Sequence, residues 1–302
     1  MALKSRSESV ELKIMRSLNT RSNLSTKEKK YYFKLEKGYQ GELMFDKLTE
    51  KLQSDMLVIN DLCFEFNDNI FQIDTLIIAQ STIYPFEVKN YSGDYFYDFE
   101  GFHKISGPDI TNPLDQIGRS KLLLRQLLKS LGYNIPIEPS FIFINPEFTL
   151  YQAPLNQPII YPTQINAYMK EFDRTSSKLN ERHKKLADRL ISLHSNKSPY
   201  ITRVPIYEYR SVSKWVICSK CNCFMAPGGD KVLACIKCGD IETIESAVIR
   251  SVAELMFLFP DIKITTGLVF EWCGAILSKK IIRRILMENF NAVGYGRWFY
   301  FE

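Results

Sequence analysis

The sequence predicts an α+β protein: a mixed-sheet α/β core, then a four-cysteine module, then a small helical domain. Three observations carry this. Between residues 38 and 194, short runs rich in Ile, Val, Phe and Tyr are set among helical patterns. Two Cys-x-x-Cys pairs follow, separated by thirteen residues. From residue 246 the apolar spacing returns to a helical period. With 302 residues, 45 % hydrophobic and 24 % charged, the composition is that of a globular chain of about two to three domains, which excludes a disordered chain, a collagen-like fibre and a coiled-coil rod.

Along the chain, residues 1–35 are polar and basic and are expected to form a loosely packed extension. Gly38 to Gln53 is predicted to be a helix, with Leu43, Leu48 and Leu52 on one side. Met56–Asn60, Ile70–Ala79 and Thr82–Lys89 are predicted strands, with a turn at Asn67-Asp68-Asn69. Asp94–Phe99 and Phe102–Ile105 suit a hairpin around Glu100-Gly101. Asn112-Pro113 opens a helix of about two dozen residues, since proline fits the first turn. Ser140–Asn145 and Pro158–Tyr161 are predicted strands, Thr163–Phe172 and Ser177–His194 helices, and Ile201–Val212 a strand. Helices are expected over Ala247–Phe259 and Lys279–Phe290, the latter capped by Ser278, with an apolar segment at Leu268–Ile276 between them and an aromatic strand at the end.

The formal charge of +5 hides a pattern. Residues 1–37 carry ten Lys and Arg against four Asp and Glu, residues 38–173 nine against eighteen, and residues 174–214 ten against three. An acidic block therefore lies between basic segments. Such a block is either a solvated surface or the seat of a carboxylate cluster for a divalent cation.

Within that block, Asp74 lies on one predicted strand and Glu87 and Lys89 on the next. Residues two apart on a strand share a face, so Glu87 and Lys89 point the same way, and a hairpin would bring Asp74 beside them. Two carboxylates and a lysine form a site for metal-assisted hydrolysis: the carboxylates hold Mg²⁺ or Mn²⁺, and the lysine orients water or offsets transition-state charge. Glu42, preceded by Gly38 and Gly41, extends the acid set from a helix, and Gln116 can reach the same cleft from the helix after Asn112. The plainer alternative is a strand-end salt bridge between these acids and Lys89.

The ordered set Gly41-Glu42, Gln72-Ile73-Asp74, Glu87-Val88-Lys89 and Asn112-Pro113 with Gln116 resembles the nuclease-related domain, NERD, of the PD-(D/E)xK restriction-endonuclease-like superfamily. The resemblance covers about residues 36–150 and implies a restriction-endonuclease-like core. It implies Asp74, Glu87 and Lys89 as catalytic residues, Glu42 as an auxiliary metal ligand and Gln116 as a helix-borne site residue. Ile-Asp stands where the family commonly has Pro-Asp before the first acid.

Cys218, Cys221, Cys235 and Cys238 have the spacing of a four-thiolate zinc ribbon, in which each knuckle supplies two ligands. Gly239 and Asn222 follow the knuckles and tolerate the left-handed turn such knuckles use. Redox-active or merely buried thiols are the alternative, and Cys223 could exchange into the site. A module this small leans on its metal, so the zinc would be structural, serving DNA contact, protein contact or scaffolding. Cys63 and Cys273 stand alone in apolar segments and are expected in cores.

Near the C-terminus, three helices and a β-wing would be similar to a winged helix. Lys279, Lys280, Arg283 and Arg284 fall on one helix face, and Arg297 lies in the aromatic tail; together they suit nucleic-acid phosphates, or else form a solvated face of a protein-binding module. The resulting division is an extension at 1–35, a nuclease-like domain at 36–173, a basic helical connector and strand at 174–210, a zinc ribbon at 211–245 and a winged-helix-like domain at 246–302. The expected function is a cytoplasmic, metal-dependent nuclease acting on DNA. Two alternatives are a catalytically inactive nuclease fold that binds or senses nucleic acid, and a zinc-scaffolded adaptor for protein partners. No membrane span and no secretory signal are expected from this reading, and a homo-oligomer or a protein partner is compatible with it.

Overall fold

The computed structural model describes residues 2–106, 112–195 and 203–302, apart from the side chain of Arg297. It divides into two compact units, one of residues up to 12 with 31–203, the other of residues 13–30 with 204–302.

The first unit is built on a five-stranded mixed sheet. Its strands are β1 (Leu57–Phe66), β2 (Asn69–Ile78), β3 (Ile83–Lys89), β6 (Ser140–Phe143) and β8 (Ile159–Ile160), in the order β1-β2-β3-β6-β8. β1, β2 and β3 run antiparallel in sequence, and β6 and β8 join parallel. The Asn67-Asp68 turn between β1 and β2 uses positive φ at both residues, 48° and 56°, the conformation of a tight hairpin turn that asparagine and aspartate tolerate.

Helices cover both faces, as a sheet with two apolar faces requires. On one face α3 (Pro113–Ser130) and α5 (Glu181–Ser192) bury Leu124, Leu128, Leu186 and Leu190 against Ile59, Leu62, Leu76 and Ile78. On the other, α2 (Thr26–Thr49) and α4 (Ile165–Phe172) set Phe45, Met169 and Phe172 against Ile77, Phe86, Val88 and Ile142. Asn112 caps α3, accepting from the Leu114 N–H at 3.2 Å, and Pro113 occupies the first turn.

A second, three-stranded sheet of β4 (Gly93–Asp98), β5 (Gly101–Lys104) and β7 (Phe148–Tyr151) has the order β5-β4-β7. An aromatic cluster of Tyr95, Phe102, Phe141, Phe143 and Phe148 fills its underside. Phe143 and Phe148 stack with centroids 3.8 Å apart.

The second unit contains the three-stranded antiparallel sheet β9 (Met225–Pro227), β10 (Val232–Cys235) and β11 (Ile241–Thr243). Three helices follow, α6 (Ile244–Leu258), α7 (Thr266–Trp272) and α8 (Lys279–Asn289), with a short pair β12 (Ala292–Val293) and β13 (Tyr300–Phe301). Thr243, Thr265 and Ser278 cap the three helices through their side-chain oxygens. Val252, Leu255, Val269, Trp272, Ile282 and Ile285 are fully buried. Arg21 is also fully buried: it pairs with Glu254 at 2.6 Å, donates to the carbonyls of Ser213 and Trp215, and lies 3.9 Å over the Trp272 ring. Cys63 and Cys273 are buried, as expected.

Several expected elements differ. Residues 1–35 are not a loose extension: α1 (Val10–Arg21) and the first turns of α2 occupy most of that segment, which is divided between the two units. These helices are polar, and their order comes from tertiary contacts such as the Tyr31 hydroxyl donating to buried Glu11 at 2.6 Å. β1 extends six residues past Asn60, because its pairing with β2 continues beyond Asp61, which has a φ of 54°. The expected strand at 201–212 does not form: 201 and 202 lie outside the described residues, and 203–212 are turns and irregular chain. The aromatic tail is interrupted by a 3₁₀ turn at Gly296–Trp298, leaving only Tyr300–Phe301 as strand. The four-residue strand β7 was not predicted. Among the described residues, no helix is long and apolar enough to cross a membrane.

Candidate functional site

The predicted acids meet where β2 and β3 part. The ladder between these strands ends at Thr75↔Phe86, and Asp74 and Glu87 are the next residues outward on each strand. Both are buried, at 6 % and 5 % exposure. Asp74 Oδ2 accepts from the Val88 N–H at 2.8 Å, which fixes its carboxylate against β3 in place of a ladder bond. Glu87 Oε1 receives Lys89 Nζ at 2.5 Å and Gln116 Nε2 at 2.6 Å. Gln116 reaches it because Asn112 and Pro113 start α3 one turn earlier.

Glu42 comes from the middle of α2. Gly41 lets that helix approach closely, since a Cβ there would stand 2.5 Å from the Asn90 Cβ and 3.2 Å from an Ile144 methyl. One helical turn on, Asp46 presents a buried carboxylate on the same face as Glu42. Sequence reasoning missed Asp46, although its i, i+4 spacing from Glu42 was a usable signal.

A further residue, Arg6, was not anticipated at all. The segment before α1 runs beside β1: Leu3 N–H donates to the Val58 carbonyl at 2.8 Å, and Asn60 N–H to the Lys4 carbonyl at 3.0 Å. This carries Arg6, with its side chain only 1 % exposed, into the acid cluster. Its guanidinium donates to Glu42 at 2.8 Å, to both Asp46 oxygens at 2.9 Å, to the Asp74 carbonyl at 2.8 Å and to the Thr75 hydroxyl at 3.1 Å.

The electrostatics follow from this crowding. Burial, then the Asp74 carboxylate, pushes Glu42 up to about 8 against the pull of Arg6. Burial, then Asp74, pushes Glu87 up to about 7 against Lys89 and Gln116. Burial alone would lower Lys89, but Glu87 and Asp74 outweigh it and hold the ammonium above its ordinary value.

The structure thus places Asp74, Glu87, Lys89 and Gln116 in one linked group, and Glu42 in a second group with Asp46 and Arg6 that touches Asp74 through its carbonyl. Asp74 and Glu87 are oxygen donors of the kind a hard divalent cation takes, with Glu42 nearby.

The second candidate centre is the cysteine cluster. The ligand atoms of Cys218, Cys221, Cys235 and Cys238 all lie within 4.8 Å of one another, and this set could hold a metal ion. Two knuckles shape it. Asn222, with a φ of 57°, donates to the Cys218 carbonyl, and Gly239, with a φ of 72°, donates to the Cys235 carbonyl. The N–H groups of Lys237 and Cys238 point at Cys235 Sγ from 3.4 and 3.5 Å, a pattern that favours the thiolate. Lys220 pairs with Asp240 at 2.5 Å. The fit to a tetrahedral soft-metal site is good in donor type and number. Cys223 is outside the set; its carbonyl accepts from the Cys218 N–H.

On α8, Lys279, Lys280, Arg283 and Arg284 are exposed on one side of a helix whose other side buries Ile282, Ile285 and Leu286. Lys279 lies 5.1 Å over the Phe270 ring and Arg283 5.7 Å over Phe299. The side chain of Arg297 lies outside the described residues.

Residues 37–144 match the family model NERD, nuclease-related domain. That segment runs from α2 to the end of the β3–β6 pairing and contains Glu42, Asp74, Glu87, Lys89 and Gln116. Neither the curated proteins nor the solved structures contain a match to the chain. That segment is similar to a nuclease-related domain, and the α+β chain around it also carries a possible four-cysteine metal site.

Proposed function

We propose that this chain is a divalent-metal-dependent nuclease that hydrolyses phosphodiester bonds in DNA. The observation that carries this reading is the placement of Asp74 and Glu87 as adjacent buried carboxylates where β2 and β3 part, with Lys89 bonded to Glu87, inside the segment matched to the nuclease-related domain.

Asp74 and Glu87 would hold Mg²⁺ or Mn²⁺, and the bound ion would polarise the phosphoryl oxygen and acidify water. The Val88 N–H keeps Asp74 aimed, and Gln116 keeps Glu87 aimed. Lys89 orients the attacking water and offsets charge that grows on the phosphoryl oxygens. Glu42 flanks this pair from the α2 side, held there by Arg6. This core cannot attract a polyanion by itself, so the four cations of α8 would bind phosphates and the C-terminal helices with β12 and β13 would act as a winged-helix-like binding module. Structural Zn²⁺ on the four cysteines would hold the ribbon, and such a thiol-rich site suits the reducing cytoplasm.

Cleavage of supercoiled and linear DNA with Mg²⁺ or Mn²⁺ tests this reading. Wild type is expected to cut, Asp74→Ala and Lys89→Ala to lose at least about a hundredfold in rate, as for loss of a charge stabiliser. Equal cutting by wild type and both variants would refute it. Metal-independent binding with no cleavage would favour the inactive, nucleic-acid-binding alternative.

A further inference from the structure

Resting on the metal-dependent reading above, we infer that Arg6 is a built-in cation occupying the place of a second metal ion, which makes the acid cluster a single-ion site. Five carboxylates gather here: Glu42, Asp46, Asp61, Asp74 and Glu87. Three fixed cations face them. Lys4 lies 3.8 Å from Asp61, Lys89 is bonded to Glu87, and Arg6 bridges Glu42 and Asp46.

The position of Arg6 divides the ligands. Its guanidinium uses both oxygens of Asp46 and one of Glu42, so those carboxylates are engaged on the α2 side. Asp74 gives Arg6 only its backbone carbonyl, which leaves its carboxylate on the Glu87 side. The planar fork matches Asp46 bidentately, a geometry that holds a guanidinium firmly in place where a mobile ion would otherwise sit. The main-chain bonds of Leu3 and Asn60 make the arrangement part of the fold rather than a surface encounter. Arg6 is therefore a positioning residue: it sets ion number and anchors Glu42.

The test counts Mn²⁺ ions on the zinc-loaded full-length chain by electron paramagnetic resonance of the free ion. Wild type is expected to bind one ion that Asp74→Asn removes and Asp46→Asn does not. Arg6→Gln, shown folded by its circular dichroism melt, is expected to bind two, the second removed by adding Asp46→Asn; Arg6→Lys, which keeps the charge, is expected to remain at one. Two cluster-bound ions in wild type, loss of the ion in Asp46→Asn, or a folded Arg6→Gln that stays at one would overturn the inference. If Arg6→Gln does not fold, the wild-type and Asp46→Asn counts decide by themselves. No Asp74-dependent ion in wild type would overturn the metal-dependent reading itself, an outcome distinct from a count of two.

Discussion

Gly41 and Asn90 are packed so closely that a single added methyl on the helix would stand 2.5 Å from the Asn90 Cβ. Asn90 is itself held at both ends, donating to the Lys37 carbonyl at 2.7 Å and accepting from Asn145 at 2.8 Å. The contact therefore fixes how near α2, and with it Glu42, comes to the end of β3. Alanine normally favours a helix over glycine by about 1 kcal/mol, but here overpacking of about 1–3 kcal/mol opposes it. Gly41→Ala is expected to lower stability in urea denaturation, whereas Gly38→Ala, with open space around its Cβ, is expected to raise it.

Raised acids make the first unit pH-sensitive. Glu42 and Glu87 sit at about 8 and about 7 in the fold, against an ordinary 4.5. The folded state thus holds more protons than the unfolded chain between these values. Their contribution to stability is full below about 4.5 and is lost as pH rises through 7 and 8. Metal-free protein is expected to melt progressively lower across this window, and added Mg²⁺ to stabilise it more at pH 8 than at pH 6. Thermal melts at fixed ionic strength read both trends; a metal effect that is larger at pH 6 would contradict them.

Metal removal should be visible in tryptophan fluorescence confined to the second unit. All three tryptophans, Trp215, Trp272 and Trp298, belong to it, and Trp215 packs on Phe224 beside the first knuckle at 5.4 Å. Stripping the cysteine site with a strong chelator is expected to red-shift the emission and to lower the melting temperature followed at that wavelength, because a structural zinc contributes directly to folding. Cys235→Ser should reproduce the shift without chelator.

The α8 cations should act through phosphate rather than through base recognition. Replacing Lys279, Lys280, Arg283 and Arg284 by alanine is expected to weaken DNA binding uniformly across sequences. The slope of log K against log salt should flatten by roughly 0.9 for each phosphate that is no longer neutralised. Gel shifts at several salt concentrations measure this, and an unchanged slope would point to a protein-facing helix.

The site was legible where its residues announce themselves through local spacing. Glu87 and Lys89 share a strand face, Asp74 falls on the preceding hairpin strand, and Asn112-Pro113 places Gln116 in the first turn of a helix. The cysteine pairs were equally plain, since knuckle spacing is a local property. Arg6 was not legible: it lies among scattered serines and charges, and only the pairing of its segment with β1 brings it to the acids. The order of α1 and of the start of α2 was hidden for the same reason, as polar helices are held by distant partners such as Glu11 and Tyr31. The strand expected at 201–212 had the right residue types, but its described part, 203–212, finds no ladder partner among the described residues.

That Asp74 and Glu87 share one divalent ion is tested most directly by anomalous scattering from crystals soaked in Mn²⁺. A single peak within about 2.2 Å of a carboxylate oxygen from each residue is the expected result. A peak held by Glu42 and Asp46 with Arg6 displaced, or no peak between Asp74 and Glu87, would contradict it.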